Sequence, residues 1–144
     1  MPTTMHVSVS ATGKADLFAG GQRGKKEAIN VVNSNFALGL NERNTKFSNI
    51  NTNPFVWQFE MNNAKFSTGF HLLLNDQHSP KLHCFYIPGG TINPIQWFRQ
   101  KNVGLSHVEV DAGSTNFKTI SCPTSLLHST SLCFLPYWSH VMTY

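Results

Sequence analysis

Three segments between Phe55 and Ile87 set the strongest limit on what this chain can fold into. Phe55, Trp57, Phe59 and Met61 alternate with Val56, Gln58 and Glu60, the two-residue period of a strand with one buried face. Phe70-His71-Leu72-Leu73-Leu74 is an almost unbroken apolar run, as in a strand covered on both faces. Leu82-His83-Cys84-Phe85-Tyr86-Ile87 follows and ends at Pro88-Gly89-Gly90. Asn62-Asn63 breaks the first segment, and Asn75 to Pro80 has turn chemistry. Strands joined so closely pair most economically antiparallel.

Other elements extend this sheet. Lys46 to Ile50 reads as a short strand before the Asn51-Thr52-Asn53-Pro54 turn. His107 to Asp111 alternates, and Asn116 to Ile120 is placed to pair with it across Gly113. Ile29, Val32, Phe36 and Leu40 lie three, four and four residues apart, which predicts a helix over about 23–38 with one buried stripe. Asn93 as N-cap, Pro94 at the first helical position, Gln96 in the capping-box position and an Ile92/Trp97 staple predict a short helix from Pro94 to about Lys101. The fold class that follows is α+β: a central, mostly antiparallel sheet of about five strands, an N-terminal amphipathic helix and one short later helix.

A chain of 144 residues, 40% hydrophobic and 12% aromatic, has material for one core, and the expected organisation is a single domain over 1–144. Its flanks differ from its centre. Residues 1–20 read as a polar arm, with the Val7-x-Val9 spacing leaving an edge strand as the alternative. From Thr119 to Tyr144 there is no Asp, Glu, Lys or Arg, so 119–144 reads as an uncharged tail that covers a sheet edge or forms an interface. A homodimer is expected on that ground. Three cysteines without a CxxC pair, no apolar leader and no long apolar run point to a cytoplasmic protein that does not enter a membrane.

The formal charge is +4 and the charged fraction only 12%, a mild bias toward anionic partners. The cationic cluster is Arg23, Lys25 and Lys26. With Arg43 and Lys46 these are the candidate phosphate- or nucleic-acid-binding residues. Ala19-Gly20-Gly21-Gln22-Arg23-Gly24-Lys25-Lys26 approaches a phosphate loop, but Lys26 stands where the magnesium-binding hydroxyl belongs.

Histidines are the other chemistry-bearing group. His71 and His83 lie on neighbouring predicted strands and are the candidate metal ligands, although no closed set of three or four ligands is visible. Glu60 and Asp76 complete the set a metal-dependent hydrolase would draw on. Acids number seven; Glu109 and Asp111 share a strand face, and no Gly-x-Ser-x-Gly elbow occurs. Phe55, Trp57 and Tyr86 mark a small-ligand pocket as a further alternative, and Trp138 is the aromatic expected to be freest for stacking.

Arg43-Asn44-Thr45, Phe47-Ser48-Asn49-Ile50-Asn51, Trp57-x-Phe59, His71 to Asp76 and Phe85-Tyr86-Ile87-Pro88 together resemble small bacterial proteins of mobile gene cassettes of the integron type, over residues 27–120. The order of helix, strands and helix is also similar to the core of restriction-endonuclease-like folds. That resemblance implies an Asp and an (Asp/Glu)-x-Lys pair holding magnesium. None of the seven acids here is followed two positions later by Lys, so the resemblance does not carry an active site over. The expectation is a binding protein rather than an enzyme, with no cofactor, contacting nucleic acid or a protein partner.

Overall fold

The computed structural model describes residues 5–8, 17–18, 20–120 and 132–144. In chain order the elements are β1 (Met5–Ser8), α1 (Gly21–Asn35), β2 (Thr45–Thr52), β3 (Phe55–Asn62), α2 (Asn63–Thr68), β4 (Gly69–Asp76), β5 (Lys81–Pro88), α3 (Pro94–Trp97), β6 (Arg99–Asn102), β7 (Leu105–Asp111) and β8 (Trp138–Thr143). The strands form one sheet in the order β1-β8-β5-β4-β2-β3-β7-β6.

This overturns the expected mostly antiparallel sheet of about five strands with an N-terminal amphipathic helix and one short later helix. Over the described residues the sheet has eight strands and is mixed, because β1 runs parallel to β8 and β2 parallel to β4. The described residues hold three helices. The unforeseen one, α2, is the physical reason for the parallel pair. Asn62 does not break the chain into a turn; its side chain accepts the Ala64 N–H at 2.9 Å and caps a helix. That helix turns the chain so that β4 pairs with β2, while β3 pairs with β7. Residues 132–144 of the uncharged tail contribute β8, which sits inside the sheet between β5 and β1. Residues 121–131 of that tail, with Cys122, lie outside the described residues.

Two smaller differences have local causes. The first helix stops at Asn35, three residues short of the expected end. There the Ser34 and Asn35 side chains bond to the carbonyls of Asn30 and Val31, each at 2.8 Å, and compete with further helix. The Pro94 helix is capped by Asn93, whose side chain accepts the Ile95 N–H at 3.2 Å, but it ends at Trp97 and the chain enters β6.

The sheet has two covered faces along its middle. On one, α1 lays Ala28, Ile29 and Val32 against Leu73, Leu82, Cys84 and Met142, with Phe36 and Leu40 closing the edge. On the other, Phe70, Leu72, Leu74, Phe85 and Ile87 face Trp57, Phe59, Met61, Val108 and Val110 across a second core that Phe117 and Phe134 seal. Hence β3 and β7 curl over β4 and β5. Consecutive residues of β4 and β5 serve opposite cores, which is why those strands read as apolar runs.

Among the described residues no helix is long and apolar enough to cross a membrane.

Candidate functional site

The curl begins where β2 and β3 part. Their ladder holds only Ile50 to Trp57, Asn51 to Val56 and Thr52 to Phe55. Beyond it, the Ser48 hydroxyl donates to the Gln58 carbonyl at 3.2 Å. One step further the strands are apart, and the gap opens into a cleft of about 420 Å³. Lys46 and Glu60 line it from the two separated strands, Lys25 from α1, Lys65 from α2, and Glu42 and Arg43 from the loop before β2. A second recess of about 370 Å³ continues past Lys46 and Glu60 to Lys101 and His107. The combined groove presents five cationic side chains against two carboxylates.

Local structure fixes these groups. Asn41 and Asn44 form a tight turn: Asn41 Oδ1 accepts the N–H groups of Arg43 and Asn44 at 2.9 Å, and Asn44 Oδ1 accepts that of Asn41 at 2.8 Å. Two lysines clamp this turn onto the helices. Lys25 Nζ donates to the Glu42 carbonyl at 2.8 Å, and Lys65 Nζ donates to the Arg43 carbonyl. Gln22 donates to the Glu42 carboxylate. Lys101 donates to Glu60 at 3.0 Å.

Burial, then the nearby ammonium of Lys46, pushes the Lys25 amine below its ordinary value, against the pull of Glu42. Burial does the same to Lys46, opposed by Glu60. The Glu60 carboxyl is held below its usual range, chiefly by the hydrogen bond from Lys101. The cleft therefore holds two partly desolvated lysines, Lys25 and Lys46, the second of which repels the first. An anion placed there relieves both penalties.

Of the residues singled out in the sequence, Lys25, Arg43 and Lys46 come together here. Arg23 and Lys26 are exposed on the first turns of α1 and do not line the groove. Gly21 to Gly24 are helical, so the glycine-rich segment forms no phosphate loop. Sequence reasoning missed Lys65 and Lys101. The signal for Lys65 was the Asn62 cap, read as a strand breaker.

The two candidate metal ligands do not converge. His71 pairs with Tyr86 and shares the helix-covered face with Leu73, whereas His83 pairs with Leu74 on the opposite face. Among the described residues no three of His, Cys, Asp and Glu are grouped to hold a metal ion. The acids of the hydrolase reading are engaged apart from one another. Asp76 Oδ1 accepts the N–H groups of His78 and Ser79, each at 3.0 Å, and Glu60 holds Lys101. Glu109 meets His107 at 3.1 Å, and Asp111 Oδ1 accepts the Gly113 N–H at 2.8 Å.

Cys84 is buried, and burial pushes its thiol up to about 12, which suits a core residue and not a nucleophile. Phe55, Trp57 and Tyr86 form no common pocket: Trp57 is a buried core residue, and Tyr86 lies on the far face of the sheet. Trp138 is not free, since its ring packs 5.6 Å from His83 and 5.8 Å from Phe117.

Comparison of the chain with protein-family models, with curated proteins and with solved structures gives no match.

Proposed function

We propose that this chain is a binding protein whose groove takes the phosphate backbone of a single-stranded nucleic acid. The observation that supports this reading is the convergence of Lys25, Arg43, Lys46 and Lys65, from four different parts of the fold, on one cleft of about 420 Å³. A single helix face of lysines is ordinarily a solvated surface. Cations brought together from separate elements, with Lys25 and Lys46 among them partly desolvated, raise the free energy of the empty site, and a phosphodiester lowers it again. The free thiols of Cys84 and Cys133 support a cytoplasmic location for the protein.

The test is fluorescence anisotropy of a labelled single-stranded oligonucleotide across a salt series. Each phosphate contact contributes a slope of about −0.7 in log K against log salt for single strands, so three or four contacts give roughly −2 to −3. Lys46→Gln and Lys65→Gln should each weaken binding several-fold and reduce the slope by about one contact. Lys118→Gln, at an exposed position outside the groove, should leave both unchanged. No binding at low salt, or binding indifferent to salt, overturns the reading.

A further inference from the structure

A second cleft, of about 380 Å³, opens on the helix-covered side of the sheet and is lined by Leu38, His71, Tyr86, Ser139 and His140. The strands bring these residues together by register. His71 and Tyr86 are direct partners across β4 and β5, with ring centroids 4.8 Å apart. Next to them the β5–β8 ladder slips between Cys84 and Phe85, so that His140 opposes Cys84 and Trp138 opposes Phe85. Ser139 is the extra residue of this bulge. Its hydroxyl lies 3.3 Å from the Cys84 carbonyl and 2.8 Å from His140 Nδ1. Phe36 packs on the His140 ring at 4.4 Å, which fixes that imidazole and leaves Nε2 directed away from Ser139.

The chemistry of this wall is specific. Among the described residues it contains no carboxylate, ammonium or guanidinium. Burial pushes both imidazoles below their ordinary value, so at neutral pH each presents one donor and one acceptor nitrogen. Tyr86 keeps 43% of its surface exposed although it stands in a central strand, a flat apolar face with no cover. A charged ligand finds no partner here, and a purely aliphatic one leaves the hydroxyl and ring nitrogens unused. A planar, uncharged heteroaromatic ring satisfies both, stacking on the aromatic wall and hydrogen-bonding at its edge. The volume lies at the lower end of small-ligand sites, roughly 300–1,000 Å³.

We propose that this cleft is a nucleobase site, with Tyr86 as the stacking platform and His71, Ser139 and His140 as the edge-reading groups. The inference rests in part on the phosphate reading of the groove, which shares no lining residue with the cleft but lies one strand away from it. The His71 N–H donates to the Asn44 carbonyl at 2.7 Å, and Thr45, the β2 partner of His71, lines the cationic cleft beside Arg43. A strand with its phosphates at Lys25 and Arg43 is thereby led toward the cleft. The same pocket chemistry also takes a free nucleoside.

The experiment titrates adenosine, guanosine, cytidine and uridine separately into the isotope-labelled full chain and follows the imidazole C–H signals by NMR. Saturable shifts of His71 and His140 are expected, with those of His83 unmoved. Tyr86→Leu should weaken nucleoside binding about fivefold to a hundredfold. His71→Ala serves as a second variant, because Tyr86→Leu disturbs the approach to Gly69. No shift with cytidine or uridine up to about 20 mM, where a millimolar Kd would be near saturation, and none with adenosine or guanosine up to their lower solubility limits, overturns the proposal.

A second arm separates the two readings by comparing an ordinary oligonucleotide with an abasic one of equal length. Tighter binding of the ordinary strand, lost in Tyr86→Leu, supports the base site. Equal binding of both strands, with no nucleoside shift, removes the base site and leaves the phosphate groove standing. Nucleoside binding without strand binding at low salt removes the groove and leaves the cleft as a site for free nucleosides.

Discussion

Asn75 has no exposed surface, yet it is one of the best-connected polar residues in the molecule. Its backbone carbonyl accepts Trp57 Nε1 at 2.9 Å, its amide donates to Asn49 Oδ1 at 2.7 Å, and its Oδ1 accepts the Tyr144 hydroxyl at 2.6 Å. Asn49 passes the chain on to the Leu17 carbonyl at 2.9 Å. Asn75→Leu keeps the branching of the side chain but leaves the half-buried polar groups of Asn49 and Tyr144 without this partner. The expected loss is about 2–3 kcal/mol in urea unfolding, and a loss below about 0.5 kcal/mol would remove the network from the account of stability. His83 is the opposite case, a largely buried imidazole whose Nδ1 finds no hydrogen-bond partner among the described residues. Burial among Trp57, Phe117 and Trp138 pushes it down to about 4, with Asp76 opposing and Lys81 assisting. The fold favours the neutral ring. The stabilisation is therefore complete above the unfolded value of about 6.5 and is lost as pH falls from there through about 4, on the order of 3 kcal/mol at most. His83→Phe should flatten the pH dependence of the unfolding free energy in that window relative to the parent chain; superimposable profiles would contradict the assignment. Some of this residue chemistry was legible. Asn93-Pro94 announces its cap because both residues act within one turn. The roles of Asn75 and His83 were not, because their partners lie on other strands.

At the scale of elements, the tightest joint is between the end of α2 and the loop after β5. The Gly90 N–H reaches the Phe66 carbonyl at 2.8 Å. A Cβ on Gly89 would stand 2.3 Å from the Ser67 carbonyl oxygen and 2.9 Å from the Thr68 carbonyl carbon. Both are backbone atoms and cannot rotate aside. Gly89→Ala should cost about 2–3 kcal/mol, the upper range for overpacking, whereas Gly113→Ala, whose nearest neighbour is the Asp111 side chain at 3.3 Å, should be close to neutral. Thermal midpoints of the two variants check the contrast, and equal midpoints would refute it. This joint also explains what the hydrophobic pattern left unread. The alternation of β3 and the apolar runs of β4 and β5 were plain, because burial on one or two faces writes itself into neighbouring residues. Which strand lies beside which is decided by contacts such as Gly89 on Ser67 and by a six-residue helix. A helix that short has no periodicity to detect, and its cap looked like a turn. The N-terminal strand was legible only as an alternative to a polar arm, from Val7 and Val9, and the strand in the tail was not legible as a strand, for a related reason. Met5–Ser8 is too short to show a sustained alternation, and β8, Trp138-Ser139-His140-Val141-Met142-Thr143, mixes polar and apolar residues with no two-residue period.

For the whole molecule, the groove exists because the sheet cannot satisfy both of its cores while staying flat. β2 must pair with β4 at its start and with β3 at its end, and the space between the two pairings is where Lys46 is held. The basic cluster of α1 was visible in the sequence, but only Lys25 of its three members reaches the site, since a helix directs neighbouring residues to different sides. Lysines held in this way titrate differently from surface lysines, and that gives a test distinct from salt. Lys25 and Lys46 have amines lowered by burial, and the first is lowered further by the second. An anion favours the charged amine, so bound nucleic acid raises both values and binding takes up protons as they begin to titrate. Affinity should accordingly fall as pH rises through the lowered values, below the pH of about 10.4 at which an ordinary lysine loses its charge. Lys46→Arg replaces the titrating amine by a group that stays protonated above about pH 12. It should bind the oligonucleotide at neutral pH within a fewfold of the parent and hold that affinity further into the alkaline range. The measurement is anisotropy at constant ionic strength from about pH 7 to 10, inside the window between ordinary histidine and lysine titration. A parent profile that is flat, or one that Lys46→Arg leaves unchanged, would mean that Lys46 does not face the bound phosphate, and the splayed strands would then have opened a cleft for some other purpose.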